Sequence, residues 1–288
     1  MKIIDIIKAE KPSLSFEVFP PKTSDKFDTV QAATEKIAVL KPSFMSVTYG
    51  AGGGTSEFTL SIAKNIQEKY DVPALAHLTC VNSSKDEVKV RLEMLKDSGI
   101  ENILALRGDI TPENQNRDKW DYHYANELVE EIKSTYGFCV GGACYPESHP
   151  ESMHQKEDII NLKRKIDAGC EFLTTQMFFD NNVLYNFMYK IREAGISVPI
   201  IAGIMPVTNA KQIKRSCELS NCTLPQRFKA ILDRYADNDE AMKQAGIAYA
   251  TDQIIDLYAN GINAVHVYSM NKPDVAEKIQ ANISEIIK

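Results

Sequence analysis

Residues 73–109 read PALAHLTCVNSSKDEVKVRLEMLKDSGIENILALRGD, one strand, one helix and a second strand in direct succession. PALAHLTC (73–80) and NILALRGD (102–109) are short, largely apolar runs of strand length. Between them, in SKDEVKVRLEMLKDSG (84–99), Val88, Leu92 and Leu95 recur at i, i+4 and i+7, the spacing of one helical face. Gly99 stands where a helix C-terminus favours a left-handed residue. Strands that are apolar throughout and alternate with helices belong in a parallel sheet covered on both faces.

The same unit recurs along the chain. SLSFEVFP (13–20) and FMSVTYG (44–50) precede it; CVGGACYP (139–146), FLTTQMFF (172–179), PIIAGIMP (199–206) and AVHVYSM (264–270) follow. Gly137, Gly169, Gly195 and Gly261 repeat the position of Gly99 ahead of later strands. Eight units predict an α/β fold, a (β/α)8 TIM barrel, with residues 1–288 as a single domain; an open doubly wound sheet is the alternative, because periodicity does not report closure. The longest insertion, 207–263, carries extra helical pattern around 224–235 and 240–260.

Composition narrows the function. The chain has 288 residues, 44% apolar and 25% charged, with a net charge of -6. Nothing in that balance attracts a nucleic acid backbone or an anionic membrane surface. No run of 18 apolar residues occurs, and the N-terminus lacks a long apolar signal core, so a cytoplasmic protein is expected. The six cysteines include no C-x-x-C pair and read as buried reduced thiols, with no metal site.

In such a barrel the site lies at the C-terminal strand ends and the loops after them. Those ends are polar here: Glu17, Thr48, His77, Arg107 with Asp109, Tyr145 with His149, and Gln176. Each has a structural reading as well. His77 suits a hydrogen-bonded core histidine, and Arg107 with Asp109 suits an ion pair. YGAGGGTSEFT (49–59) offers amides to a phosphate or a nicotinamide, or is simply a flexible turn; it is no G-x-G-x-x-G. On HQKEDIINLKRKIDAG (154–169), Asp158, Asn161 and Lys165 form a polar stripe beside the apolar Ile159, Leu162 and Ile166. With Arg164 the stripe would either hold an anionic ligand at the barrel's border or be solvated.

Glu17 is the sharpest feature. Neither face of a parallel barrel strand is freely wet, so a carboxyl there is desolvated, its pKa rises, and it suits a general acid. The competing reading is a structural glutamate paired with a buried base such as Arg107.

SFEVFPPKT, SVTYGAGG, HLTC, ILALRGD, YPESHPE, DIINLKRKIDAG and TTQMFFD, in this order, resemble the successive motifs of methylenetetrahydrofolate reductases over residues 13–272. The resemblance implies non-covalent FAD at the strand ends, NADH or NADPH as co-substrate, and reduction of 5,10-methylenetetrahydrofolate to 5-methyltetrahydrofolate through two half-reactions in one pocket. Glu17 would be the general acid, Asp109 a catalytic residue near flavin and pterin, and Gln176 a folate ligand. The family's flavin contacts fall on Thr48, Tyr49, Ala51, His77, Arg107, Gly108, Asp109, Tyr124, Ala125, Tyr145, His149, Asp158, Asn161, Arg164 and Lys165. Substrate contacts would add Gln212 and Lys272. Lys272 stands where bacterial relatives commonly carry arginine, and Ser216 where an aromatic often sits. The resemblance further implies small-molecule partners alone, a homo-oligomer, a place in methionine biosynthesis, and no response to S-adenosylmethionine. The alternatives are a flavin- or folate-binding subunit fed electrons by a partner protein, and a flavin-free pterin methyltransferase.

Overall fold

Eight parallel strands pair in sequence order, and the last closes on the first. The computed structural model describes residues 1–49, 56–81, 83–110 and 115–288. Ala51 and most of the glycine loop lie outside the described residues, as does the side chain of Gln212. The strands are β1 (Ser13–Val18), β2 (Met45–Val47), β3 (Ala74–Thr79), β4 (Asn102–Leu106), β5 (Cys139–Cys144), β6 (Phe172–Thr175), β7 (Ile200–Ile204) and β8 (Ala264–Tyr268). The helices are α1 (Ile3–Lys8), α2 (Phe27–Ala38), α3 (Ser56–Tyr70), α4 (Lys85–Asp97), α5 (Ala125–Thr135), α6 (Gln155–Asp167), α7 (Asn181–Glu193), α8 (Ala210–Ser220), α9 (Gln226–Tyr235), α10 (Asp239–Ala259) and α11 (Pro273–Asn282). The open sheet is thereby excluded, and every predicted strand is present.

Alternation along each strand sorts its residues into two environments. Leu14, Phe16, Val18, Met45, Val47, Ala76, Leu78, Val265 and Val267 face the helices and belong to the main core. The opposite face of β1, Ser13, Ser15 and Glu17, points into the barrel. A second cluster fills the barrel's lower part, where Leu75, Leu104, Phe172, Ile201 and Ala264 meet Ile3, Ile4 and Phe44. Helix α1 thus plugs the N-terminal end, and the Asn102 carboxamide fastens it by accepting from the Ile3 amide at 2.8 Å. Above this apolar floor the interior turns polar, and there the site begins.

Local chemistry sets the helix ends. Ser84 starts α4 with a reciprocal capping box to Glu87, and Asp180, Asn209 and Asn238 cap α7, α8 and α10. Gly99, Gly169, Gly195 and Gly261 take positive φ after their helices. Gly137 does not: α5 ends on an extended Tyr136, so no left-handed residue is required there.

The predicted strands ran two to three residues too far in several cases. Thr48, Arg107, Asp109, Tyr145 and Gln176 all follow their strands as loop residues. In the insertion, α9 and α10 match the expected helical segments, and α8 is an additional helix. These three build a third cluster with the β6 and β7 loops, in which Phe179 stacks on Phe228 at 5.1 Å and the Tyr249 hydroxyl donates to the Phe179 carbonyl at 2.6 Å. It walls one side of the barrel mouth. Among the described residues no helix is long and apolar enough to cross a membrane. All six cysteines are free thiols, with Cys217 alone among them half-buried and the others buried.

Candidate active site

A cavity of about 560 Å3 opens at the C-terminal ends of the strands. It gathers most of the residues singled out in the sequence: Glu17, Thr48, Tyr49, His77, Arg107, Gly108, Asp109, Ala125, Tyr145, His149, Lys165 and Gln176 all line it. Closure of the barrel does this, by aiming the ends of β1 to β6 at one space.

Glu17 lies at the base of this space with a side chain only 19% exposed. Burial pushes its carboxyl from the usual 4.5 up to about 8, opposed by a hydrogen bond with Ser46. His77 Nε2 lies 3.7 Å from the carboxyl. Burial holds the His77 imidazole down near 3, so the contact is between neutral groups at pH 7 and is no ion pair. Arg107 is not the partner of Glu17. Its guanidinium forms a two-pronged bridge to Glu151, at 2.8 and 2.6 Å, and Arg117 approaches the same carboxylate at 3.4 Å. Both structural readings of Arg107, as the base for Glu17 or as the mate of Asp109, therefore give way to Glu151. The reason is reach: Arg107 lies beyond the end of β4 and turns toward the loop after β5.

Gly108 permits that turn. Its φ is +94°, and a Cβ there would lie 2.6 Å from Val81 Cγ1, so this left-handed, crowded position accepts glycine alone without strain. Across the mouth, Tyr145 packs edge-on against His149 at 4.7 Å, and the Asp158 carboxylate accepts from the His149 amide at 3.1 Å. Gln176 folds back so that its side-chain oxygen accepts from the Met177 amide at 2.9 Å.

The α6 stripe divides. Lys165 reaches over β5, donates to the Ala143 carbonyl at 2.7 Å and enters the cavity lining. Asn161 and Arg164 are exposed and bond to each other at 3.0 Å, outside that lining. Arg164 and Lys165 are adjacent and so point about 100° apart around the helix, enough for one to reach the rim while the other reaches water. Tyr124 is likewise 55% exposed at the start of α5, with Ala125 next to it on the wall. Lys272 lies outside the lining too, donating to the Thr208 hydroxyl at 2.5 Å. Ser216 and Ser220 of α8 border the opening.

Sequence reasoning missed the polar layer below the carboxyl. Ser15, Ser46 and His266 are buried and joined by hydrogen bonds, and Tyr268 spans the cavity to donate to the Thr175 carbonyl. The signal was the alternation SLSFEV on β1, which puts Ser13, Ser15 and Glu17 on one face, and the matching alternation of AVHVY on β8.

Two buried polar atoms on the cavity wall, His77 Nε2 and the Thr174 hydroxyl, have no hydrogen-bond partner among the described residues. Unpaired buried polar groups are costly, and a planar heterocycle with donors and acceptors on its edge fits them. Lys165 and Arg107 at the rim fit the phosphates of a dinucleotide. The residues present therefore match the requirements of a flavin dinucleotide.

A closed parallel barrel with a buried carboxyl beneath a cavity of ligand size has the architecture of a barrel protein that binds a small molecule at its strand ends. The chain belongs to the methylenetetrahydrofolate reductase family, whose sequence model matches residues 2–284. It is 37% identical to 5,10-methylenetetrahydrofolate reductase of Escherichia coli over 93% of this chain and 89% of that one. It is 35% identical to methylenetetrahydrofolate reductase (NADH) 1 of Arabidopsis thaliana over 99% of its length, and spans 51% of that longer relative. Among solved structures, an uncharacterized protein from Clostridium thermocellum that binds two copies of 5-methyl-5,6,7,8-tetrahydrofolic acid superposes with a TM-score of 0.65 at 15% identity, covering 98% of this chain and 97% of that one. That likeness is one of fold.

Proposed function

We propose that residues 1–288 act as one catalytic barrel that reduces 5,10-methylenetetrahydrofolate to 5-methyltetrahydrofolate, with NADH or NADPH as donor and non-covalent FAD. The observation that carries this reading is Glu17, protonated at neutral pH at the base of the cavity. Membership of the reductase family supports it. Bound in the cavity, FAD would supply the hydride relay between the pyridine nucleotide and the folate.

The chain's own residues supply the rest. Glu17 holds a proton where the folate enters and gives it to the methylene bridge, opening that bridge to an electrophile. Asp109 would lie near the flavin and pterin, and Gln176 would exchange its bond to the Met177 amide for the folate. Arg107 and Lys165 would hold the dinucleotide phosphates, while His77 and Thr174 would offer polar atoms to the flavin ring. Thr48, Tyr49, Gly108, Ala125, Tyr145 and His149 complete the cofactor wall. Asp158 acts through His149. Lys272, hydrogen-bonded to Thr208 near the mouth, meets the acidic tail of the folate as a point charge.

Anaerobic stopped-flow spectroscopy tests the proposal. Purified protein should show a flavin spectrum that bleaches with NADH or NADPH and returns with methylenetetrahydrofolate. Protein without flavin would sink the reductase reading. Holoprotein that bleaches with neither nucleotide, yet turns over with an artificial donor, would favour a partner-fed subunit.

A further inference from the structure

The strand that carries Glu17 loses one neighbour just past it. β1 pairs with β8 from Ser13 opposite Ala264 to Glu17 opposite Tyr268. There β8 turns away, with Met270 and Asn271 in the left-handed conformation at φ +53° and +52°. On its other edge β1 goes on: Val18 lies opposite Val47, and the Val18 carbonyl accepts from the Thr48 amide at 3.0 Å. The β8 edge offers no strand to the backbone of Phe19. Pro20 and Pro21 come next and carry no N–H, so Phe19 supplies the last backbone donor before Lys22.

The turn after β8 supplies side chains instead. Ser269 Oγ donates to the Glu17 carbonyl at 2.6 Å. The Asn271 carboxamide meets Phe19 twice, its oxygen accepting from the amide at 3.0 Å and its nitrogen donating to the carbonyl at 2.8 Å. A backbone N–H needs an acceptor and a carbonyl needs a donor, so the carboxamide has a single orientation. It gives Phe19 the two bonds that β8 would have given had the strand continued. The turn itself is fixed at both ends: the Lys272 amide donates to the Ser269 carbonyl at 3.0 Å, Pro273 starts α11, and Val275, Ala276 and Ile279 seat that helix in the main core.

We infer that Asn271 and Ser269 are positioning residues for the acid: their side chains continue the β8 edge of β1 and hold the backbone of Glu17 and Phe19, so that the Glu17 carboxyl stays at the base of the cavity. This deepens the proposed function and rests on the reading of Glu17 as the proton donor. The same turn carries Lys272, whose ammonium donates to Thr208 at 2.5 Å, so the acid and the cation assigned to the folate tail share one bracket.

A charged carboxylate at this place is costly, and the end of β1 can relieve it by opening toward water. Three hydrogen bonds oppose that opening. Without them ionisation becomes easier, and the acid form is held over a narrower pH range. The titratable groups that face Glu17 do not supply the restraint. His77 of β3 is held neutral by burial, His266 of β8 is held down by burial and then by His77, and Tyr268 of β8 is pushed up by burial and then by the Glu17 charge.

Carbon-13 NMR of glutamate carboxyls, with the Glu17 signal assigned by Glu17→Gln, reads the titration. Asn271→Gly removes the carboxamide and suits the left-handed backbone. In that variant the Glu17 midpoint should fall by about 1 pH unit or more, the scale of one or two hydrogen bonds. Ser269→Ala deletes one hydroxyl, should shift the midpoint the same way, and keeps the test available if Asn271→Gly does not fold. Gln280→Ala serves as the control, since it cuts a 2.8 Å bond from α11 to the Leu40 carbonyl and should leave the midpoint fixed. In stopped-flow, the alkaline limb of flavin reoxidation by methylenetetrahydrofolate should move down with the midpoint, while reduction by the nucleotide keeps its rate. A midpoint that rises or stays fixed in both turn variants, or falls equally in the control, overturns the inference. The titration needs no turnover, so that failure would leave the reductase reading standing, and a lowered midpoint in a protein that does not reduce the folate would sink that reading alone.

Discussion

Glu17 Oε2 lies 3.7 Å from His77 Nε2, and near neutral pH this contact carries no full charge on either side. Burial drives the two groups in opposite senses, the carboxyl toward holding its proton and the imidazole toward losing it. A site arranged in this way can deliver a proton at pH 7 while offering His77 Nε2 to a ligand.

The Glu17→Gln variant should separate the two half-reactions. Bleaching of the flavin by the pyridine nucleotide should persist, and reoxidation by methylenetetrahydrofolate should slow by about 10²- to 10⁴-fold, the usual share of a general acid. Equal losses in both steps would remove Glu17 from that role.

Stability should pass through a maximum near pH 6.5. The folded pKa of Glu17 is raised, to about 8 from 4.5, so its contribution is lost as pH rises between those values. His77 and His266 are depressed to about 3 from 6.5, so theirs is lost as pH falls below 6.5. From pH 4.5 to 6.5 the two histidines outweigh the one carboxyl, and above 6.5 the carboxyl acts alone. Thermal melts of Glu17→Gln against wild type should show a stabilisation that grows from pH 6.5 to 8; a constant gap would contradict the raised pKa.

Arg107→Met should weaken FAD binding by about 10- to 100-fold, the scale of hydrogen bonds to a charged group, and flatten its salt dependence. Fluorescence titration of the apoprotein reports both. An unchanged affinity would mean that Glu151 keeps the guanidinium in the holoprotein as well.

Lys272→Ala should raise the apparent KM for methylenetetrahydrofolate by about 2- to 5-fold and leave reduction by the nucleotide unaltered, as suits a partly exposed charge pair. No change in KM would take Lys272 out of the folate site.

Gly203→Ala tests the cavity's far wall. A Cβ at Gly203 would lie 2.3 Å from both the Thr175 carbonyl and the Tyr268 hydroxyl, which are bonded to each other. The variant should lose about 2–4 kcal/mol by overpacking and the broken hydrogen bond, measured by urea unfolding. Near-wild-type stability would show that Tyr268 yields without cost.

The sequence by itself determined the repeat. The apolar strands, the Val88, Leu92 and Leu95 stripe and most of the terminal glycines are local patterns, because a strand or helix is recognised within a few residues of itself. It determined the anomaly at Glu17, and in LRGD and YPESHPE it carried the family resemblance. Partnership was decided by tertiary structure alone. Arg107 had two plausible mates in the sequence and took Glu151, 44 residues on, because the chain turns at Gly108. Lys165 and Arg164 are neighbours on paper; about 100° apart around α6, one reaches over β5 to the cavity and the other goes to water. Above all, Ser15 and His266 stand 251 residues apart, and only the pairing of β8 with β1 that closes the barrel makes them touch. Which residues share a face follows from period two along one strand; which faces meet depends on register between strands, and closure sets it.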